Sequence, residues 1–246
     1  MVNINIAAII QARRGSTRLP DKIFLDIQGR PLIYHVVNRL KQSKLINETI
    51  IATTTNKEDD KLELWAKDNN VKIYRGSELN VLQRYYKAAI ENDVDIIVRI
   101  TADDPFKDYR LIDEAIEVLI DGNLDFVCNN NPISFPEGLD VEVLSFNSLK
   151  KSYRNAVSDF DKEHVTQYIH KNQNKFKVTN LLNSSDLSFY RWTIDTEEDY
   201  KFVSAIYKKL YSVNKLFLPE DIYKLLEENP SLMTINKHVK KSQLYN

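Results

Sequence analysis

Cysteine is almost missing from this sequence, since Cys128 is the only one among 246 residues. A single thiol excludes a disulfide framework and a cysteine-rich metal site. Cys128 lies in the run Leu124–Asn129, whose apolar residues predict a buried strand thiol. Nothing here requires an oxidising compartment, and we expect a reduced, cytoplasmic protein.

Long hydrophobic runs are missing as well. No apolar stretch approaches the ~20 residues of a membrane-spanning helix, and the segment Met1–Ile10 has no basic start typical of a signal peptide. The sequence also has no internal repeat, low-complexity tract or Gly/Ser-rich linker. We therefore expect no membrane partner and a single domain over residues 1–246.

An excess of charge of one sign is the third absence. The 34 Lys and Arg residues are balanced by 35 Asp and Glu residues, which gives a net charge of −1 with histidine neutral. This balance argues against a protein that binds nucleic acid by bulk electrostatics. Hydrophobic residues make up 43% of the chain and aromatic residues 10%, and their spread along its length predicts a packed core.

Short apolar strands alternate with amphipathic helices in the first half of the chain. We predict strands at Ile4–Ile10, Thr49–Thr55, Val71–Tyr74 and Asp95–Thr101, and helices that begin at Pro31, Asp59, Val81 and Leu111. This alternation is typical of an α/β layered fold with a mainly parallel sheet. Ligands of such folds bind at the carboxyl ends of the strands, so the loops that follow strands are the candidates for a site.

The second half is less regular. We predict a strand over Gly138–Ser145, in which Asp140 and Glu142 share the face opposite the apolar residues that alternate with them. The other predicted elements are a helix over Glu163–His170, a hairpin of Lys177–Leu182 with Phe189–Ile194, and a long helix capped by Thr196.

The loop Gln11–Lys22 follows the first strand directly and holds four basic residues and two hydroxyls around Gly15. Backbone N–H groups, guanidinium groups and an ammonium group in such a loop can bind a polyphosphate. The loop lacks the second glycine and the Lys-Ser/Thr pair of a Walker A motif, and its lone glycine excludes a GxGxxG motif. The ordinary alternative is a solvated basic loop, which the strand directly before it makes less favoured.

Carboxylates follow two other predicted strands. Asp103 and Asp104 lie near the end of Arg99–Pro105, and Asp195 ends Arg191–Asp195. Two strand-end carboxylates can hold Mg²⁺, which prefers carboxylates, phosphate oxygens and water as ligands. Taken singly, each aspartate also suits a turn or a helix N-cap.

Acidic residues and one histidine in the second half are candidates for contact with a second substrate. His164, beside Glu163, can orient or deprotonate a substrate group, although such a pair on a helix is often simply solvated. Asp140 and Glu142 could bind hydroxyls or an amine, and the alternative for them is a solvent-facing strand surface.

Taken in order, these segments resemble the SpsF-type cytidylyltransferases, which belong with the acylneuraminate and Kdo cytidylyltransferases. The segment Ile9–Lys22 is similar to the opening motif of that family, and Arg99–Pro105 is similar to its Arg-x-Thr-Gly-Asp-x-Pro block with Ala102 in place of glycine. The weaker matching blocks are Gly76–Tyr86, Gly138–Glu142, Glu163–Thr166 and Trp192–Asp195. The C-terminal residues beyond about residue 200 carry no motif.

The resemblance implies a three-layer α/β/α nucleotidyltransferase fold, GT-A-like and Rossmann-like, with a mixed, mainly parallel sheet. It implies CTP as a substrate, Mg²⁺ as the cofactor and a homodimer, with a small insert over roughly residues 130–185 for acceptor binding and dimerisation. Asp103 and Asp195 match the metal ligands. The residues that match catalytic positions are Arg13, Arg18, Lys22 and Asp103. The implied nucleotide site consists of Gln11, Ala12, Arg13, Gly15, Ser16, Arg18, Lys22, Arg84, Thr101, Ala102 and Asp103.

The implied reaction transfers CMP from CTP to an anionic acceptor and releases pyrophosphate, in surface polysaccharide or glycoconjugate biosynthesis. Sugar acids, phosphonates and phosphorylated polyols are the acceptor classes, and Asp140, Glu142 and His164 are the predicted acceptor-binding residues. A GT-A glycosyltransferase is one alternative, with Asp103 and Asp104 as its metal-binding pair, but it leaves the basic loop unexplained. A non-catalytic nucleotide-binding protein is the other, and the presence of the expected loop lysine and metal ligands disfavours it.

Overall fold

Parallel strands form the centre of the structure, a computed structural model that describes residues 4–16 and 18–241. Within these residues the strands are β1 (Ile6–Gln11), β2 (Asp26–Ile27), β3 (Arg30–Pro31), β4 (Glu48–Thr54), β5 (Lys72–Gly76), β6 (Ile96–Thr101), β7 (Phe126–Cys128), β8 (Glu142–Ser145) and β9 (Val178–Asn180). The α-helices are α1 (Leu32–Leu40), α2 (Asp60–Asp68), α3 (Val81–Glu91), α4 (Tyr109–Asp121), α5 (Phe146–Asn155), α6 (Asp159–Glu163), α7 (Gln167–Lys171), α8 (Glu197–Leu210) and α9 (Pro219–Glu228). Short 3₁₀ helices lie at Lys22–Phe24, Lys57–Asp59, Gln173–Lys175 and Pro230–Thr234.

Seven of these strands form one sheet in the order β5-β4-β1-β6-β8-β7-β9. Strand β1 pairs in parallel with β4 on one side and with β6 on the other, whereas β8 is antiparallel to both β6 and β7. The predicted mixed, mainly parallel sheet is therefore confirmed. The strand order reverses at β1, so the carboxyl ends of β1 and β6 border a crevice of the kind in which α/β sheets bind ligands.

Helices cover both faces of this sheet. Apolar residues of α1, α2 and α4 pack on the face that holds Ala8 and Ile10, and those of α3, α5 and α7 pack on the face that holds Ala7 and Ile9. Strand β1 is buried on both faces, as central parallel strands are, and Cys128 is likewise buried in β7 as predicted. The three-layer α/β/α architecture that the sequence predicts is confirmed.

A third core joins residues from the C-terminal third of the chain to residues of earlier segments such as Ile27, Leu32 and Phe106. Helices α8 and α9 enclose Phe106, Trp192 and Phe217, which are almost fully buried. Helix α8 begins after Thr196, as predicted, and the Thr196 hydroxyl and the Asp199 carboxylate form a capping box. This core supports the two segments that carry Asp103 and Asp195. None of the helices in residues 4–16 and 18–241 has the length and apolar character to cross a membrane.

Two predicted elements have the wrong extent. The strand predicted from Gly138 starts only at Glu142, because Gly138 adopts a φ of 104° and lies against the backbone of Trp192, where a Cβ would sit 2.9 Å from the Trp192 carbonyl carbon. The helix predicted over Glu163–His170 is two short helices instead. Val165 separates them with a φ of 44°, which a right-handed helix cannot contain.

The predicted hairpin of Lys177–Leu182 with Phe189–Ile194 is wrong. Strand β9 pairs in parallel with β7, and Phe189–Ile194 forms only an isolated bridge between Arg191 and Glu137. The Arg191 side chain binds the carboxylates of Glu137 and Asp199. Asp104 and Asp195 are not helix N-caps, so that alternative is also wrong. Asp108 caps α4, and Thr196 caps α8.

Candidate active site

A cavity of about 780 Å³ opens where the strand order reverses, at the carboxyl ends of β1 and β6. The predicted site residues that line it are Gln11, Ala12, Arg13, Ser16, Arg18, Lys22, Arg84, Thr101, Ala102, Asp103, Asp140, Glu142, His164 and Asp195. Gly15 is the exception, because it lies behind the lining, where a Cβ would sit 2.7 Å from Glu58 Oε1. The structure thus brings together residues that are up to about 180 positions apart in the chain.

Lys22 lies between two carboxylates of the cavity wall. Its Nζ is 2.6 Å from Asp103 Oδ2 and 2.9 Å from Asp195 Oδ1, and it also donates to the Ile194 carbonyl oxygen at 3.1 Å. Burial alone would lower the pKa of Lys22, but the charges of the two aspartates outweigh burial and raise the pKa. In the same way, burial would raise the pKa of Asp103, and the Lys22 charge lowers it. Lys22 and Asp103 are therefore both ionised at neutral pH.

Asp195 binds three cationic side chains. Its Oδ1 accepts from Lys22 and lies 2.9 Å from Arg18 Nη2, while its Oδ2 accepts from Arg191 Nη2 at 3.1 Å. The Arg18 side chain is 61% exposed and that of Asp195 only 10%, so Arg18 reaches the carboxylate from the open side of the cavity. Arg191 is buried and approaches from the protein interior.

Asp104, next in sequence to Asp103, binds different partners. It accepts from Thr101 Oγ1 at 2.5 Å and pairs with Lys107 Nζ at 2.9 Å. Burial raises the pKa of Asp104 to about 6 in spite of Lys107, and the charge of Asp103 adds to the rise. The two neighbouring carboxylates therefore do not act as one acidic pair.

On the opposite wall, two arginines contact the loop before α3. Arg84 is 2% exposed, and its Nη1 donates to the carbonyl oxygens of Ser77 and Glu78 at 2.5 and 3.0 Å. Arg13, from the loop after β1, donates to Glu78 Oε1 at 2.9 Å. Arg84 thus fixes the conformation of this loop, and Arg13 joins it to the basic loop.

Glu142 connects the two halves of the cavity. Its Oε1 accepts from Thr166 Oγ1 at 2.9 Å and from His170 Nε2 at 3.2 Å, and its Oε2 pairs with Arg99. Arg99 Nη2 in turn reaches Gln11 Oε1 at 3.3 Å. Burial would raise the pKa of Glu142, but Arg99 and His170 outweigh it and hold the pKa well below its usual range. The contacts of Glu142 inside the protein occupy both carboxylate oxygens.

The other two residues predicted to bind an acceptor are more accessible. Asp140 is partly buried and accepts from the Gly138 backbone N–H at 3.1 Å. His164 lies between α6 and α7, its ring centroid is 4.5 Å from that of Phe160, and burial lowers its pKa. Both residues line the cavity, as does Gln167.

Several lining residues were not among those predicted from sequence. Arg99 begins the segment Arg99–Pro105, but the sequence alone does not show its partner. The partner follows from the strand register, which places Arg99 opposite Glu142. His170 could not be found by periodicity, because Val165, with a φ of 44°, interrupts the helical pattern before it. Glu78, Asn130 and Glu137 lie in loops that show no helical or strand pattern.

A metal ion at this site would depend on few protein ligands. In the described ranges 4–16 and 18–241, no group of three or more His, Cys, Asp or Glu side chains is arranged to hold a metal ion. Asp103 and Asp195, however, direct oxygens at one common cation, the Lys22 ammonium.

Comparison with known proteins gives consistent matches. A family model described as cytidylyltransferase matches residues 7–237. The chain is 34% identical over 237 residues to the spore coat polysaccharide biosynthesis protein SpsF of Bacillus subtilis. The aligned region covers 94% of this chain and 97% of SpsF. It is 34% identical over 150 residues to the 3-deoxy-manno-octulosonate cytidylyltransferase of Bdellovibrio bacteriovorus, 60% of this chain and 57% of that protein. The solved structure of a cytidylyltransferase from Leptospira borgpetersenii superposes with a TM-score of 0.90 at 33% identity and covers 98% of this chain and 100% of that one.

The Glu142 cluster makes a prediction about stability. Replacing Glu142 with Gln removes the carboxylate that neutralises the largely buried Arg99 side chain, and we expect a loss of about 3–5 kcal/mol in the free energy of unfolding at pH 7. The ordinary pKa of the carboxyl is 4.5 and its folded pKa is lower, so its contribution is complete above pH 4.5 and is lost as the pH falls below that value. Urea denaturation of both proteins from pH 7 to pH 3 should show the difference narrowing, with the exposed Glu91→Gln variant as control. A difference independent of pH would contradict this account.

Proposed function

Because the chain belongs to the cytidylyltransferase family and is thus a CTP-dependent nucleotidyltransferase, we propose that it transfers CMP from CTP to an anionic small-molecule acceptor in a Mg²⁺-dependent reaction. The observation that carries the proposal is the cluster of Lys22, Asp103 and Asp195 at the carboxyl ends of the central strands. The names of two relatives support a role in surface polysaccharide biosynthesis and an acceptor that carries a carboxylate. Phosphonates and phosphorylated polyols are the other acceptor classes.

The two aspartates are suited to hold Mg²⁺. The Lys22 ammonium group already lies between their oxygens, at 2.6 Å from Asp103 and 2.9 Å from Asp195, so the site stabilises a positive charge at this point. Mg²⁺ keeps several waters and is commonly bound by one or two carboxylates together with phosphate oxygens of the substrate. A site of two carboxylates next to a basic loop matches that preference. When bound, Mg²⁺ neutralises charge on the phosphoryl oxygens.

The basic loop is assigned to the triphosphate. Arg13 and Arg18 have side chains 42% and 61% exposed, so they can exchange their carboxylate partners for phosphate oxygens at little cost in burial. With Asp103 and Asp195 holding a metal ion, the Lys22 ammonium group would be available to bind phosphate as a point charge. In the reaction an acceptor oxygen attacks the α-phosphorus, and the bond from that phosphorus to the pyrophosphate oxygen breaks. The loop cations stabilise the charge on the departing pyrophosphate.

The acceptor is assigned to the part of the cavity that Asp140, Glu142 and His164 line. Asp140, Glu142 and His164 are the groups assigned to contact it. Glu142 is also connected to His164, because Thr166 Oγ1 donates to Glu142 Oε1 at 2.9 Å and to the His164 carbonyl oxygen at 3.3 Å. The alternative of a GT-A glycosyltransferase is disfavoured, because Asp103 and Asp104 bind different partners and the basic loop would have no ligand. The insert over roughly residues 130–185 is assigned to homodimer contact, which the exposed Val157 and Leu182 support at 85% and 63% exposure.

Base selectivity can be tested without knowing the acceptor. Thermal-shift assays with Mg²⁺ should show a larger rise in Tm with CTP than with ATP, GTP or UTP, because a ligand that binds only the folded state stabilises it by about 2.7 kcal/mol at 100 times its Kd. The same four nucleotides are then incubated with a panel of sugar acids, phosphonates and polyol phosphates, and pyrophosphate release is followed. Equal shifts with all four nucleotides would contradict CTP preference, and release of a nucleoside diphosphate from a nucleotide sugar would favour the glycosyltransferase.

Shared metal binding predicts non-additive losses of activity. Asp103→Asn and Asp195→Asn should each abolish Mg²⁺-dependent pyrophosphate release, and the double variant should be little worse than either alone because the two residues act as a unit. Asp60→Asn is the control, since Asp60 is exposed and pairs with Arg75 outside the cavity. Fully additive losses would mean that the two aspartates serve separate functions.

Division of the cavity predicts a separation of substrate effects. Asp140→Asn and His164→Ala should change the KM or rate for the acceptor while CTP binding, measured by calorimetry, changes by no more than about 1 kcal/mol. Asp159→Asn, on an exposed residue of α6 outside the cavity lining, is the comparison variant. Matched losses of CTP affinity in both test variants would place these residues at the nucleotide.

A further inference from the structure

The C-terminal segment beyond α9 carries no motif, yet it contacts the network behind the site. Asn236 in this segment is 5% exposed. Its Nδ2 donates to Asp199 Oδ1 at 3.1 Å and to the Arg191 carbonyl oxygen at 3.0 Å. Ile235 beside it packs against the third core, which fixes the position of the segment.

Asp199 collects the contacts that hold residue 195. It is fully buried, its Oδ1 accepts from Arg191 Nε at 2.9 Å, and its Oδ2 accepts from Arg191 Nη2 at 2.8 Å. The same Oδ2 accepts from the backbone N–H groups of Asp195 and Thr196 at 3.0 and 3.1 Å. Asp199 therefore holds the backbone of Asp195 directly and its side chain through Arg191.

The geometry points to a positioning chain from Asn236 through Asp199 and Arg191 to Asp195, by which the C-terminal segment sets the direction of the Asp195 carboxylate. The inference rests on the proposed function, in which Asp195 holds the metal ion. Arg191 Nη2 occupies Oδ2 of Asp195, so that Oδ1 is the oxygen directed at the cation between the two aspartates. Partners behind metal ligands orient them and tune the site in this way.

Loss of Asn236 should release this chain at its far end. Asp199 Oδ1 would keep only the Arg191 donor, and the guanidinium could shift toward Glu137, to which its Nη1 already donates at 2.6 Å. Such a shift withdraws Nη2 from Asp195 and turns the carboxylate away from the cation. Asn236 does not line the cavity, so its loss removes no direct contact with a ligand there. The expected effect is therefore a weaker metal binding through Asp195.

The test is binding of Mn²⁺ to the full-length protein in the presence of CTP, measured by electron paramagnetic resonance. Asn236→Ala should weaken Mn²⁺ binding about 10-fold, the lower end of the range for loss of a supporting partner. Asn229→Ala is the matched control, because Asn229 lies seven residues before Asn236 and, among residues 4–16 and 18–241, its Nδ2 donates to the Leu225 carbonyl oxygen of α9 and not to Asp199. Urea denaturation of both variants measures their losses of stability, and Mn²⁺ binding is compared where both are fully folded, which separates positioning from general destabilisation.

The outcomes distinguish this inference from the function on which it rests. Equal Mn²⁺ affinities in Asn236→Ala and Asn229→Ala would overturn the positioning chain alone. Absence of Mn²⁺ binding by the unmodified protein would overturn the metal assignment and the inference together. If Asn236→Ala does not fold, Asn236→Ser replaces it, and failure of both to fold would make the role of Asn236 purely structural.

Discussion

Two carboxylates that face one point must share a cation, and this electrostatic constraint organises the site. Asp103 and Asp195 come from segments about 90 residues apart, and Lys22 reaches both from the loop after β1. Because both carboxylates are partly buried, they would repel each other strongly without the Lys22 ammonium group between them. The segments that carry Lys22, Asp103 and Asp195 therefore have to end at the same edge of the sheet, and the third core has to hold them in place.

The arginines divide into two groups according to their burial. Arg84 and Arg191 are buried and bind carbonyl or carboxylate groups of the protein, so they fix the walls of the cavity. Arg13 and Arg18 are much more exposed and each holds a single carboxylate across open space. A buried guanidinium cannot leave its partners without a large desolvation cost, whereas an exposed one exchanges them readily. Burial thus separates the cations that build the site from those available to an anionic ligand.

The first half of the chain was predictable because local signals agree with the tertiary structure there. The strand β1 is apolar on both faces, and the loop after it carries its chemistry within twelve consecutive residues, Gln11–Lys22. The second half was less predictable because contacts distant in sequence decide its backbone. Gly138 lies against Trp192, Val165 is held at a positive φ, and Arg191 binds carboxylates instead of joining a hairpin. Periodicity contains no information about such contacts, so the elements around the far side of the cavity were predicted with the wrong bounds or pairing.

Contacts between residues distant in sequence also connect the two sides of the cavity, so that the position of one side depends on the other. Gln11, on the nucleotide side, is reached by Arg99, and Arg99 is neutralised by Glu142, whose other oxygen accepts from Thr166 and His170. Each member is buried or partly buried, so none can move without leaving a charge or a donor unsatisfied. A displacement of α7 on the acceptor side would therefore be opposed by the same ion pair that orients Gln11. Glu142, which is predicted to contact an acceptor and lines the cavity, therefore also links the acceptor side to the nucleotide side through Arg99.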